Sequence, residues 1–103
     1  MTATLIDRQA VMQTFGVPAG LREGLALYIE HGVPTGSFLE AVLSNNLREA
    51  VSRGDNDSRA GLASVVLYLA NDAPIACWGS PAAFSAWRGH HGLEGWAAHQ
   101  VFA

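Results

Sequence analysis

Apolar residues recur three and four positions apart along most of the chain, which is the spacing of one helix face. No stretch alternates with the period of two that a half-buried strand requires. Val11, Met12 and Phe15 share one side of a first helix over about residues 7–15, with Thr4 or Asp7 as its cap and Gly16 at its end. Leu21, Leu25, Tyr28 and Ile29 form the stripe of a second helix, which starts at Pro18 or Ala19 and runs to His31, with Gly32 closing it. Leu39, Val42, Leu43, Leu47, Ala50 and Val51 then predict one continuous amphipathic helix over residues 38–53, closed by Gly54. Ser37 and Glu40 ahead of it have the spacing of a capping box. The polar connector Asp55-Asn56-Asp57-Ser58 offers caps to a fourth helix carrying Leu62, Val65, Val66 and Leu69, which Asn71-Asp72-Ala73-Pro74 stops. Ser80-Pro81 is a serine cap with proline at the first helical position, and it opens a fifth helix bearing Phe84 and Trp87 and ending near Gly89. Leu93, Trp96, Val101 and Phe102 mark the tail as a short sixth helix that docks or frays.

The expected fold is therefore all-α: a single compact bundle of five or six short helices joined by Gly/Pro turns. One domain accounts for the 103 residues, with the tail after about residue 89 peripheral to it. The pattern GVPxG occurs at Gly16–Gly20 and again at Gly32–Gly36, each between two predicted helices. The two copies stand too close for a helical repeat. They read as reuse of one turn, in which glycine ends a helix and proline starts the next.

Composition narrows the function classes. No apolar run approaches the roughly 20 residues that span a bilayer, and the first residues lack the basic start and apolar stretch of a signal peptide. The single cysteine, Cys77, cannot form an internal disulfide, which fits a reducing cytosol. Charged residues are only 15% of the chain, and every basic residue is arginine. The net charge of −3 argues against direct nucleic-acid binding, which needs a basic face to displace counterions. So few charges leave some apolar surface uncovered, and such surface often marks a partner or a second copy.

The residues that chemistry would need are not in chemical order. The connector from Asp55 begins like a calcium loop, but its sixth position is Ala60 and its twelfth is Val66, where glycine and glutamate are required. His31, His90, His91 and His99 lack zinc-ligand spacing. Cys77, between Ala76 and Trp78, reads as a buried structural thiol rather than a nucleophile. There is no nucleophile elbow, phosphate loop or evident acid–base pair. No enzyme activity, cofactor or metal is expected.

What remains is binding. Asn46 falls beside Leu43 and Leu47 on the apolar side of the predicted third helix, where it is either buried and partnered, fixing register or partner choice, or partly solvated with Asn45 at the edge of the stripe. The segment Pro74–Pro81 is unusually apolar for a loop. Its Trp78 either folds over the core or is presented to a partner as an anchor, and Trp87 and Trp96 raise the same question. Arg48 and Arg59 are further candidates; with Arg22 and Arg53 they would have to share one face to serve a nucleic acid, and a turn separates Arg48 from Arg59. The candidate partner-binding residues are thus Trp78, Trp87, Asn46, Arg48 and Arg59.

The stretch GLALYIEHGVPTGSFLEAVLSNNLREAVSR, followed by LASVVLYLANDAPIACWGSPAAFSAW, resembles small uncharacterised proteins encoded by phages and prophages of proteobacteria. The resemblance covers about residues 20–88. It is carried by Tyr28, Ile29, Gly32, Pro34, Gly36, Phe38, Leu39, Val42, Leu43, Asn45, Leu47, Asn71, Pro74, Trp78, Gly79, Ser80, Pro81 and Trp87. The similar proteins often read Asn-Asp-Leu where this chain reads Asn45-Asn46-Leu47, which weakens any role for an acidic group there. The resemblance implies a setting rather than an activity: a small accessory protein of a mobile element, in the cytoplasm of a bacterial host. Proteins of that kind often bind a host protein complex, and inhibitors of CRISPR effectors are one example. The expected function is a non-enzymatic protein-binding module of this type. A homo-oligomeric assembly factor is the alternative, and a nucleic-acid-associated regulator the third.

Overall fold

Left-handed residues punctuate the chain, and Gly16, Gly32 and Asn45 end three of its helices. The computed structural model describes residues 2–96, and these form helices and short turns, with no strand among the described residues. The order is α1 (Thr2–Phe15), α2 (Ala19–His31), α3 (Ser37–Leu43), α4 (Leu47–Arg53), α5 (Asn56–Ala60), α6 (Leu62–Asp72), a 3-10 turn at Ile75–Cys77, and α7 (Pro81–Gly89). Residues 92–96 add a last helical turn. The fold is all-α, as expected, but it has more helices than the five or six anticipated, because two predicted segments are each split.

The first split falls in the predicted third helix. Asn45 adopts φ +61°. Its N–H donates to Val42 O at 3.0 Å and that of Asn46 to Ala41 O at 2.8 Å, which is the Schellman pattern that ends a helix. The Asn46 side chain then accepts from Glu49 N at 3.2 Å and caps α4. Gly16 ends α1 with the same pattern, its N–H to Gln13 O and that of Val17 to Met12 O. Asparagine does in the one place what glycine does in the other, since its short polar side chain tolerates the left-handed region. The second split separates α5, capped by Asp55 through Ser58 N at 2.8 Å, from α6.

Other boundaries differ in smaller ways. α1 begins at Thr2, so Thr4 and Asp7 lie inside it and do not cap it. The expected capping box does not form: Gly36 is the N-cap of α3, entering with an extended backbone, and Ser37 is already the first helical residue. Ser80 caps α7 as predicted, accepting from Ala83 N at 3.0 Å, with Pro81 behind it. Both GVPxG glycines, Gly16 and Gly32, have positive φ. Pro18 immediately precedes α2, whereas Pro34 is separated from α3 by a short spacer.

The core joins α2, α3, α6 and α7 around Trp87, Tyr28, Tyr68, Leu25, Ile29 and Leu43, all fully buried. The polar atoms of Tyr28 and Trp87 are satisfied by backbone carbonyls, as burial demands. Tyr28 OH donates to Cys77 O at 2.7 Å, and its ring stacks on Phe84. Trp87 Nε1–H donates to Tyr28 O at 3.0 Å and Ile29 O at 3.2 Å, which fixes α7 to the end of α2. On the other side, Arg8 of α1 donates to Glu30 of α2 at 2.7 Å and to Tyr68 of α6 at 3.0 Å. Burial works against the Arg8 charge, but these hydrogen bonds outweigh it and the guanidinium pKa is raised. The last helical turn docks on α2 through two glycines: a Cβ on Gly32 would meet Gly92 N at 2.8 Å. Beside that contact, His31 lies 3.6 Å from Glu94 and Trp96 packs against Trp87. The remaining tail expectations, Val101 and Phe102, lie outside the described residues. Among the described residues, no helix is long and apolar enough to cross a membrane.

Candidate functional site

The exposed large apolar residues are not scattered evenly. Leu47 is 66% exposed, Leu67 53%, Val51 47% and Val66 37%. Leu47 and Val51 stand one turn apart on α4, while Val66 and Leu67 stand on the outer side of α6. Two adjoining depressions lie between these helices and share Leu47, Leu62 and Val66. The inner one, of about 250 Å3, is a cleft walled by Val42, Asn45, Asn46, Leu47, Ala50 and Trp78. The outer one, of about 600 Å3, runs along α6 past Ala63, Leu67 and Ala70, with Arg59 at its edge.

The cleft follows from the turns that frame it. The left-handed Asn45 swings the chain from α3 into α4 and leaves Leu47 facing solvent at the start of the new helix. Gly79 N–H donates to Leu43 O at 2.9 Å, which pins the loop before α7 across the end of α3. Trp78, held in extended backbone, is half-buried: it packs against the core and also lines the cleft. The loop thus folds over the core and still presents part of the indole at the surface. Ile75 in the same loop is 91% exposed.

Of the five candidate residues, the structure brings three to this surface. Trp78 and Asn46 wall the cleft, and Arg59 lines the outer groove. Asn46 is exposed rather than buried, but its side-chain oxygen already caps α4. Trp87 must be withdrawn as an anchor: it is fully buried, with its N–H bonded inside the core. Arg48 is exposed but walls neither depression. Three of the four arginines considered for a nucleic acid have other engagements. Arg22 donates to Val17 O, Arg53 pairs with Glu49 at 3.3 Å, and Arg59 donates to Gly54 O and Asn56.

Sequence reading missed Ala63, Leu67 and Ala70. It took Leu62, Val65, Val66 and Leu69 as the inward face of α6, whereas Val65, Tyr68 and Leu69 are the buried set and Val66 faces out. The signal was present: no charged residue stands between Arg59 and Asp72, and the apolar residues of α6 extend well past one face, with Ser64 and Asn71 together on its one polar side.

The ionisable groups elsewhere serve the fold. Burial pushes the Cys77 thiol up to about 12, so it is an inert structural thiol at neutral pH. Burial likewise pushes Tyr68 up to about 12. Asp55 is held below the usual carboxylate range by its hydrogen bond from Ser58 N. It borders a polar depression of about 520 Å3 near Pro18 and Gly61, where that carboxylate is already occupied as a cap. Among the described residues, no three His, Cys, Asp or Glu side chains group as metal ligands. No family model matches the chain, and no curated protein or solved structure is detectably similar to it.

Proposed function

We propose that the chain is a non-enzymatic protein-binding accessory protein of a phage or other mobile element, and that it acts in the host cytoplasm on a host protein complex. Occlusion of a defence complex, in the manner of anti-CRISPR proteins, is the specific form of this reading. The observation that carries it is the cleft where half-buried Trp78 stands beside the exposed Leu47. Aromatic side chains held by the core but open on one edge are favoured binding anchors, because little side-chain freedom is lost when a partner covers them. The resemblance of residues 20–88 to phage-encoded proteins supports the setting.

The test is a tagged pull-down from host lysate, with wild type beside Trp78→Phe and Leu47→Asp. A stoichiometric host complex retained by wild type, weakened by Trp78→Phe and lost with Leu47→Asp is expected. Equal recovery on all three removes the cleft as the binding site. Recovery of nothing but the chain itself removes the host-complex reading.

A further inference from the structure

We propose that the outer face of α6 closes on a second copy of this chain in a two-fold, antiparallel α6–α6 pairing. This goes beyond the cleft at Trp78, with which the face shares Val66 alone. Val65, Tyr68 and Leu69 fill the core from the inner side of α6. Ala63, Val66, Leu67 and Ala70 form a second stripe at i, i+3, i+4 and i+7, the spacing with which one helix packs on another. That stripe borders the outer groove, with Leu67 53% exposed. Ser64 and Asn71 confine the polar side of α6 to one narrow strip, so this second apolar stripe stands exposed without a covering neighbour.

The order of the stripe selects the occupant. Small, large, large, small reads alike in both directions. With a two-fold axis between Val66 and Leu67, each Ala63 faces the partner's Ala70 on the midline of the stripe, while Val66 meets the partner's Val66 on one flank and Leu67 the partner's Leu67 on the other. The alanines let the backbones approach at both ends while the branched side chains fill the centre. An isologous contact has this property, in which one residue meets a second and the second meets the first.

Charge sets the direction. Arg59 stands just before the N-terminus of α6 and lines the same groove. The other end of α6 has no basic residue in its last turn and leaves through an extended Ala73. Antiparallel pairing carries each Arg59 to the negative C-terminal end of the partner's α6. Its bonds to Gly54 O and Asn56 leave further N–H donors for those carbonyls. A parallel pairing would instead set the two Arg59 guanidinium groups against each other. A foreign protein would find no other charge in this groove to select it.

Light scattering on the full chain, from low micromolar to near-millimolar concentration, tests the proposal. Wild type is expected at twice its 10.9 kDa mass. Leu67→Glu is expected to weaken association about 100-fold, because the symmetry buries two carboxylates for each dimer, and to leave the circular dichroism unchanged. Ala63→Arg, on the same exposed stripe, serves as the second variant should Leu67→Glu fail to fold. Copies carrying Ala63→Cys mixed with copies carrying Ala70→Cys are expected to cross-link on mild oxidation, and Ala63→Cys alone is not. A wild type that stays monomeric throughout overturns the pairing and leaves the face to a foreign protein. A dimer that survives both charged variants, or cross-linking of Ala63→Cys with itself, overturns it too.

Discussion

Two tryptophans that look alike in the sequence separate at the residue scale. Trp87 and Trp78 both follow short apolar residues near predicted boundaries, and nothing in their spacing ranks one as core and the other as surface. The difference is tertiary: Trp87 Nε1 reaches two carbonyls near the end of α2, while Trp78 is held over the end of α3 by the Gly79 backbone. Trp87→Ala is therefore expected to cost about 3–5 kcal/mol, as core aromatic truncations do, and to unfold much of the chain; urea denaturation measures it. A result below about 1 kcal/mol would mean that the indole is not a core element. Cys77 and Tyr68 make a second prediction. Their folded-state pKa values are raised, so the unfolded chain loses these protons first. Stability is then full below the ordinary thiol value of 9 and falls as pH climbs towards about 12. Urea midpoints across that window should decline, and Cys77→Ala should remove the part of the decline that begins near pH 9.

At the element scale, the two asparagines carry the architecture. Apolar spacing alone supports one helix over residues 38–53, because Leu43 and Leu47 are four positions apart whether or not the helix continues between them. Periodicity records which side chains are apolar; it does not record a left-handed residue, and glycine is the usual signal for one. Gly16 and Gly32 were legible as stops for that reason. Asn45 was not, although an Asn-Asn pair supplies both requirements of a helix-to-helix corner, a left-handed residue followed by a cap. Asn46→Ala is expected to cost about 1 kcal/mol, the usual effect of losing a cap. Asn45→Gly should be tolerated, since glycine takes positive φ without strain. Thermal unfolding of the two variants should show the first lowered and the second near wild type. The corner also creates the candidate site, since it turns Leu47 out of the buried stripe. An uninterrupted helix there hid the cleft from sequence reading.

The whole molecule keeps the dimensions of a single small domain, with a radius of gyration of 12.9 Å against about 13 Å for a compact chain of this length. The all-α class, Ser80-Pro81 as a helix start and most of the core were legible from spacing and capping chemistry. The outer face of α6 was not, because its apolar residues cover more than one stripe and spacing alone does not rank which of them face inward. Whether the last helical turn docks or frays was left open by the sequence, since docking rests on backbone-to-backbone approach at Gly32 and Gly92. Gly92→Ala should break that contact, where a Cβ has no room and φ is +72°. Hydrogen exchange should then quicken in residues 92–96 while α6 stays protected; unchanged protection at the tail would show that the close approach does not hold it.

The central claim is that the α4–α6 surface is apolar for association and not for folding. The most direct test is the unfolding free energy of Leu47→Asp beside its retention of the captured host complex. The account predicts stability within about 0.5 kcal/mol of wild type, as for an exposed position, together with loss of the complex. A variant that unfolds, or one that keeps both its stability and its complex, would contradict it.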